Sequence, residues 1–499
     1  RRRSRHMGPM RSLFVALSVV CLTGAAPLAP AAARPALRLR GGGNSGGGGG
    51  GGSATLVAAR GGKRAAAAEE EATARGVAGL VGGILIHLAC GSMYTWGNLV
   101  SYAPPHLKYW AGAVGSGPAD AQLVLPLILV SQMTGMPLGP LLEKKLGPTL
   151  TALLGALMMG IGVMAAATAP SLASFCVCYA VVFGLGVGVA YQMPIIAGGR
   201  WFPAKKGVVT GSVVTGMGAS AFLFNLLATR LINPKGLNAV GGVFPAEVYA
   251  NWPHAIRTLG SLYTGLAVCG ALLQSNPSSF AGAYPWRDAL CGKRHAPTPK
   301  ARKAVAAAPG GPSLPSLVFA PKFAAMWLMI LGSAVGGLNV AGSYKTFGLK
   351  QPQLNSDSFL TVVGALSAIF GNAAGRFFFG ALSDAIGFKA SFVPLTLLQG
   401  TTLLSFPALA ASRLTFLLAT VAMLFCMGGT FALFPAQAMR VYGASGASVY
   451  SIMFTAFGSA ALLGPIASNA LLQRGGYPLV FSVLGLCSFG SAALTLASQ

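Results

Sequence analysis

Apolar runs of about twenty residues, broken by short stretches of glycine, proline and charge, recur from Gly76 to the end of the chain. Runs of that length match the roughly 30 Å hydrocarbon core of a bilayer. The pattern predicts membrane-crossing helices over 77–103, 120–142, 147–168, 172–198, 207–231 and 256–274. After a polar interval it predicts six more, over 317–343, 358–380, 387–409, 414–439, 444–471 and 477–497. The expectation is an all-α membrane protein of twelve transmembrane helices, in two six-helix halves at 76–274 and 317–499. Between them, 275–316 holds Arg287, Lys293, Arg294, Lys300, Arg302 and Lys303 among several prolines and reads as a flexible cytoplasmic linker. Glycine pairs at four-residue spacing (Gly79/Gly83, Gly184/Gly188, Gly207/Gly211, Gly332/Gly336, Gly371/Gly375) predict backbone-close helix contacts, because lipid gives helices no hydrophobic reason to associate.

Composition agrees. Only 9% of residues are charged, against about 25% in ordinary soluble domains, and mean hydropathy is +0.65. The formal charge of +26 would suit a nucleic-acid partner only if it were concentrated on one surface. Instead, twelve of the 35 Lys and Arg lie before Gly76, and most of the others sit between apolar runs. Lys144, Lys145, Arg200, Lys205, Lys206, the six basic linker residues, Lys389 and Arg440 fall on one side of the expected membrane. Fewer fall on the other: Lys108, Arg230, Lys235, Arg257, Lys345, Lys350, Arg413 and Arg474. The bias puts both termini on the cytosolic side, or the stromal side in a plastid. Of the eight cysteines, all but Cys291 sit in apolar runs and read as buried free thiols. No metal-ligand spacing, phosphate loop or nucleophile–base arrangement stands out, so neither a metal, a cofactor nor a catalytic residue is expected.

The segment 1–75 has a different character. Residues 1–6 precede the first methionine, and the presequence is read from Met7. Arg11, the apolar Leu13–Leu22 and the small residues Ala31–Ala33 have the build of a secretory signal peptide. Then come Arg34, Arg38, Arg40, a glycine-rich run over 41–52, and Arg60, Lys63 and Arg64, with no acidic residue before Glu69. This acid-free, basic tandem resembles the bipartite presequences of algae with complex plastids, which implies a plastid envelope protein. The alternative is a plain signal peptide followed by a disordered Gly-rich tail, which implies a plasma or endomembrane location.

Two loops at matching places in the halves carry a repeat. The first reads Gly139-Pro-Leu-Leu-Glu143-Lys144-Lys145-Leu-Gly147, the second Gly380-Ala-Leu-Ser-Asp384-Ala-Ile-Gly387-Phe-Lys389. Both resemble the Gly-x-Leu-x-Asp-Arg-x-Gly loop of the major facilitator superfamily, the first with one extra residue and the second with Ala385 where a basic residue is usual. The resemblance implies a conformational latch built from Glu143, Lys144, Asp384 and Lys389. Arg200-Trp-Phe-Pro-Ala-Lys-Lys-Gly207, Gly91-Ser-Met-Tyr94-Thr-Trp96 and Asn372-Ala-Ala-Gly375-Arg376 look like segments shared by oxalate/formate antiporters and monocarboxylate transporters. Together these motifs make the chain similar to that group over about 76–499.

Arg376 is the focal residue. It is a full charge inside an apolar run, which is expensive in a bilayer and marks a functional site unless the side chain snorkels to the interface. The resemblance places it where those families hold the substrate carboxylate, and a planar guanidinium fork suits that task. Asn372, one turn earlier, stands where animal-type monocarboxylate transporters carry an aspartate. In the first span, His87, Gly91, Tyr94 and Asn98 are spaced 4, 3 and 4 and share one helix face. His87 is the proton-coupling candidate, with an interhelical hydrogen bond as its plain alternative. Asn98 occupies the place of a proton-linked lysine in monocarboxylate transporters. Phe457, three residues after Phe454, stands where the oxalate/formate antiporter has a lysine. With one cation rather than two, a monoanion is favoured over a dicarboxylate. Tyr94, Trp96, Tyr191, Phe431, Phe434 and Phe454 are candidate aromatic walls.

These features imply a monomeric secondary transporter of small monocarboxylates of the pyruvate, lactate and formate class. It would work by alternating access, coupled to protons or to anion exchange. The readings kept beside it are transport of another small solute, and a transporter-like receptor that binds without translocating.

Overall fold

Each apolar run becomes a helix because a backbone in hydrocarbon must satisfy its own hydrogen bonds. The computed structural model describes residues 71, 73–110, 120–237, 244–277 and 313–498; the presequence and most of the linker lie outside them. Every regular element among the described residues is helical, and Gly79–Gln499 forms one unit. Ten helices are long and apolar enough to cross a membrane. Two of them are broken by left-handed glycines, at Gly147 (φ 80°) and at Gly475–Gly476 (φ 67° at Gly476). Cutting at both points, and joining Val124–Gly135 through the helical Met136 and Pro137 to the piece ending at 146, turns ten into twelve.

In chain order these are α1 (Thr73–Tyr102), α2 (124–146), α3 (148–166), α4 (Leu172–Trp201), α5 (Lys206–Ile232) and α6 (Ala246–Leu272). The second set is α7 (Pro321–Leu349), α8 (Phe359–Ile386), α9 (Phe388–Leu409), α10 (Arg413–Val441), α11 (446–474) and α12 (477–497). The α2–α3 and α8–α9 corners share one backbone device. Gly147 (φ 80°, ψ 169°) and Gly387 (φ 86°, ψ 171°) adopt nearly the same conformation, one that costs a residue with a Cβ dearly. The extra residue in the first loop therefore sits between Glu143 and its glycine, not at the corner.

Several boundaries differ from the sequence expectation. α2, α4, α8 and α10 run a turn further than their apolar cores, so Glu143, Arg200, Asp384 and Arg440 stand on helix ends rather than in loops. α6 begins before the expected 256: a short helical turn over Ala246–Ala250 leads into Trp252–Leu272, whose first turn holds Pro253, where a missing N–H costs nothing. α1 tightens into a 3₁₀ turn over Ser92–Thr95, and α4 and α8 loosen into π-helix over Cys176–Val182 and Ser367–Ala373. Cys269 is exposed on α6 rather than buried, since an apolar run in a membrane protein has a face for lipid as well as one for protein.

The packing around α8 fixes the site. A methyl group built on Gly211 of α5 would lie 2.5 Å from the Arg376 carbonyl oxygen, and one on Gly207 would lie 2.1 Å from that of Gly380. From the other side, Gly428 of α10 approaches the Asn372 carbonyl and Gly375 approaches that of Phe425, each at 2.2 Å by the same measure. α8 is thus clamped between α5 and α10 with no side chain at the crossing points. Gly211→Val should lower stability by roughly 1–3 kcal/mol, the usual range for overpacking. Gly97→Val, where a Cβ meets nothing within 4 Å, serves as the control for helix propensity. Thermal melting in detergent checks this; equal melting of the two variants would contradict the clamp.

Candidate functional site

Arg376 lies fully buried in α8. Its Nε donates to Asn372 Oδ1 at 2.9 Å, one turn back, which orients the guanidinium plane. The face of Phe431 (α10) lies 4.6 Å from its central carbon. The two terminal nitrogens make no hydrogen bond, and among the described residues Arg376 makes no ion pair. Burying a guanidinium without a counter-charge costs several kcal/mol, and each unmade charged hydrogen bond adds to that.

The surroundings come from both halves. Tyr94 (α1), Tyr191 (α4), Tyr450 (α11) and the His87 ring (α1) all lie within electrostatic range of the guanidinium. His87 packs on Tyr191 at 4.8 Å between ring centroids, and Tyr191 on Phe454 at 5.8 Å. Phe457 stacks on Phe431 at 4.2 Å, so a guanidinium and two rings form one pile. His87 Nδ1 lies 3.1 Å from the Gly83 carbonyl; a carbonyl only accepts, so this nitrogen carries the hydrogen and Nε2 keeps a lone pair. Nε2 has no partner, and the hydroxyls of Tyr191 and Tyr450 have none but each other.

The structure therefore gathers Arg376, Asn372, Tyr94, Tyr191, Phe454, Phe457 and His87 at one place. Asn98 lies apart. The 3₁₀ turn over Ser92–Thr95 shifts the register of α1, and the Asn98 amide donates to Thr229 Oγ1 (3.0 Å) and the Asn225 carbonyl (3.4 Å) on α5. Trp96 packs against Phe175 and Tyr179, and Phe434 against Phe388 and Phe392, away from the arginine. Tyr450 is the residue that the sequence reading missed. It sits one helical turn before Phe454, which was the signal available.

A second constellation lies at the loop end of the bundle. Glu143 is paired not with its neighbour Lys144, which is exposed, but with Arg200, through Nη1 at 2.5 Å and Nη2 at 3.2 Å. Arg200 also donates to Asn276 at 2.9 Å. Asp384 forms an ion pair with Arg440 and accepts from the Gly207 and Val208 amides at 2.8 and 2.7 Å. It therefore caps the start of α5, the end of a helix that favours negative charge. Lys389 is exposed and lines a pocket of about 540 Å³ beside Asp384 and Arg440 without pairing to either. Both carboxylates thus use arginines from the ends of α4 and α10, which the sequence offered only as loop charges.

The fold and the comparisons agree. No family model matches the chain. The structure superposes on the major facilitator superfamily proton:xylose symporter XylE with a TM-score of 0.61 and 14% identity, over 85% of this chain and 94% of that one. In sequence the chain is 27% identical to apicoplast pyruvate carrier 1 of Toxoplasma gondii, over 83% of this chain and 86% of the relative. It is 24% identical to the oxalate:formate antiporter of Oxalobacter formigenes, over 82% and 88%. The chain has the fold of the major facilitator superfamily and is similar over most of its length to carriers of small carboxylates.

At the loop end several hydrogen bonds join the two halves. Besides the Asp384 cap, Lys206 Nζ donates to the Met439 carbonyl (3.0 Å), and Ser451 joins Gln192 to the Met136 carbonyl. Asp384→Asn removes the ion pair and weakens two charge-assisted bonds, roughly 1–3 kcal/mol in favour of closure. A cysteine placed at the buried Ser451, in a chain lacking other cysteines, should then react several-fold faster with a polar maleimide. An unchanged rate would mean that Asp384 is not what keeps this end closed.

Proposed function

We propose that the transporter carries small monocarboxylates of the pyruvate, lactate and formate class by alternating access, with Arg376 holding the carboxylate. The observation that carries this reading is the fully buried guanidinium whose two terminal nitrogens are unpaired while Asn372 holds Nε. A carboxylate offers two oxygens to those nitrogens and supplies the missing counter-charge. The two full-length relatives point the same way, one being named for pyruvate and the other for oxalate and formate.

Charge selects among anions. A dianion would leave one negative charge uncompensated in a dry site, because Phe457 stacks on Phe431 where a second cation would be needed. Aromatic walls suit the short apolar end of a monocarboxylate. His87, with a free Nε2 lone pair near the arginine, is the candidate for proton coupling. The domain reading goes with this function: a presequence at 1–75, halves at 76–274 and 317–499 that rock about the site, and a linker at 275–316, in a monomer. The basic, acid-free presequence and the apicoplast relative favour a plastid envelope.

Uptake of labelled pyruvate into proteoliposomes, with and without a pH gradient, tests substrate and coupling together. Arg376→Gln should cut uptake by about 100-fold, the loss expected on removing one partner of a buried charge pair, while the protein stays folded. Binding without uptake in the wild type would favour a receptor. Unchanged uptake in Arg376→Gln would sink the site. Phe457→Lys should let oxalate compete; if oxalate stays inert, charge count is not what excludes dianions.

A further inference from the structure

Arg376 accounts for one end of a substrate only. Beside it, the hydroxyls of Tyr191 and Tyr450 are buried within reach of each other and of no other hydrogen-bond partner, and Nε2 of His87 is buried with none. Buried polar groups are nearly always satisfied, so each exception needs a reason. The Thr95, Tyr179 and Tyr263 hydroxyls form another such group within the aromatic packing of the first half, but no guanidinium lies among them. The three beside Arg376 come from α4, α11 and α1 and converge. Tyr191 and Tyr450 lie within electrostatic range of each other and of the guanidinium. Phe454 packs against both, its ring centroid 5.8 Å from that of Tyr191 and 6.1 Å from that of Tyr450.

We infer that Tyr191 and Tyr450 form a second polar subsite that binds an oxygen on the carbon next to the carboxylate, so that the site selects 2-oxo and 2-hydroxy monocarboxylates over unsubstituted ones. This rests on the reading of Arg376 as the carboxylate holder. The chemistry is complementary. A 2-oxo group has two lone pairs and can accept from both phenols; a 2-hydroxyl accepts from one phenol and donates to His87 Nε2. A bare methylene at that position does neither, and leaves His87 Nε2 and the Tyr191–Tyr450 pair without a substrate partner. Sites built to hydrogen-bond a substrate oxygen reject analogues without it far more strongly than apolar pockets reject a size difference.

The comparison needs three acids of similar size: pyruvate, lactate and propionate. Binding is read as the ligand-dependent rise in melting temperature of the purified full chain, which requires no transport. The expected result is that pyruvate and lactate bind at least about tenfold more tightly than propionate. In Tyr450→Phe and Tyr191→Phe, which keep the rings and their packing, that ratio should fall to within about threefold. Equal affinity for all three acids in the wild type overturns the subsite while leaving Arg376 as a general carboxylate holder. A ratio that survives in the folded variants overturns it as well. A wild type that responds to none of the three acids, and behaves like Arg376→Gln, overturns the carboxylate reading and this inference together.

Discussion

A guanidinium buried without a counter-charge is the constraint on which the rest of the structure depends. Left alone it would reach for the interface or draw water inward. It does not reach the interface, because α8 is held in place: glycines of α5 and α10 meet its backbone at Gly211, Gly207 and Gly428, with no side chain between them. Asn372 then fixes Nε, and Phe431 covers one face of the plane. What is left is a fork of two nitrogens with set direction. Preorganisation of this kind places the cost of burying the charge in the folding of the chain, where the clamp offsets it, rather than in the binding step.

The glycine pairs show how far a pattern can go. Spacing alone marked Gly207/Gly211 and Gly371/Gly375 as contact points, and they became the clamp. The same spacing at Gly79/Gly83 was only half informative. A Cβ on Gly83 would meet Pro194 at 2.6 Å, whereas one on Gly79 comes no nearer than 3.7 Å to anything. Four-residue spacing identifies a smooth helix face but not the neighbour against it.

The all-helical membrane class and the position of Arg376 were legible because hydrocarbon imposes one rule on every helix: polar groups must be satisfied within the segment or hold a special place. Partners were not legible in the same way. Glu143 pairs with Arg200 and Asp384 with Arg440, each 56 or 57 residues away, and only tertiary packing brings those helix ends together. Asn98 misled for a local reason, since one 3₁₀ turn in α1 rotates it onto α5. Tyr450 escaped because nothing in an apolar run tells a wall tyrosine from a packed one. Its significance appears only when its buried hydroxyl is seen near Tyr191 and Arg376.

Arg376 and Asp384 belong to one uninterrupted helical stretch, Ala374–Ile386. Eight residues at about 1.5 Å each put the site and the latch roughly 12 Å apart on a stiff rod. α5 touches that rod at both levels, at the Asp384 carboxylate through the Gly207 amide and at the Arg376 carbonyl through Gly211. The contact that closes the loop end and the contact that backs the arginine are therefore rows of the same interface. Separating α5 from α8 at the latch end must strain or open the row behind Arg376 as well, because neither helix has a hinge between the two. If the chain works by alternating access as proposed, opening the loop end and changing the walls around Arg376 become a single motion. Substrate need not signal to the latch through a chain of side chains; it has only to favour one arrangement of the interface that both share.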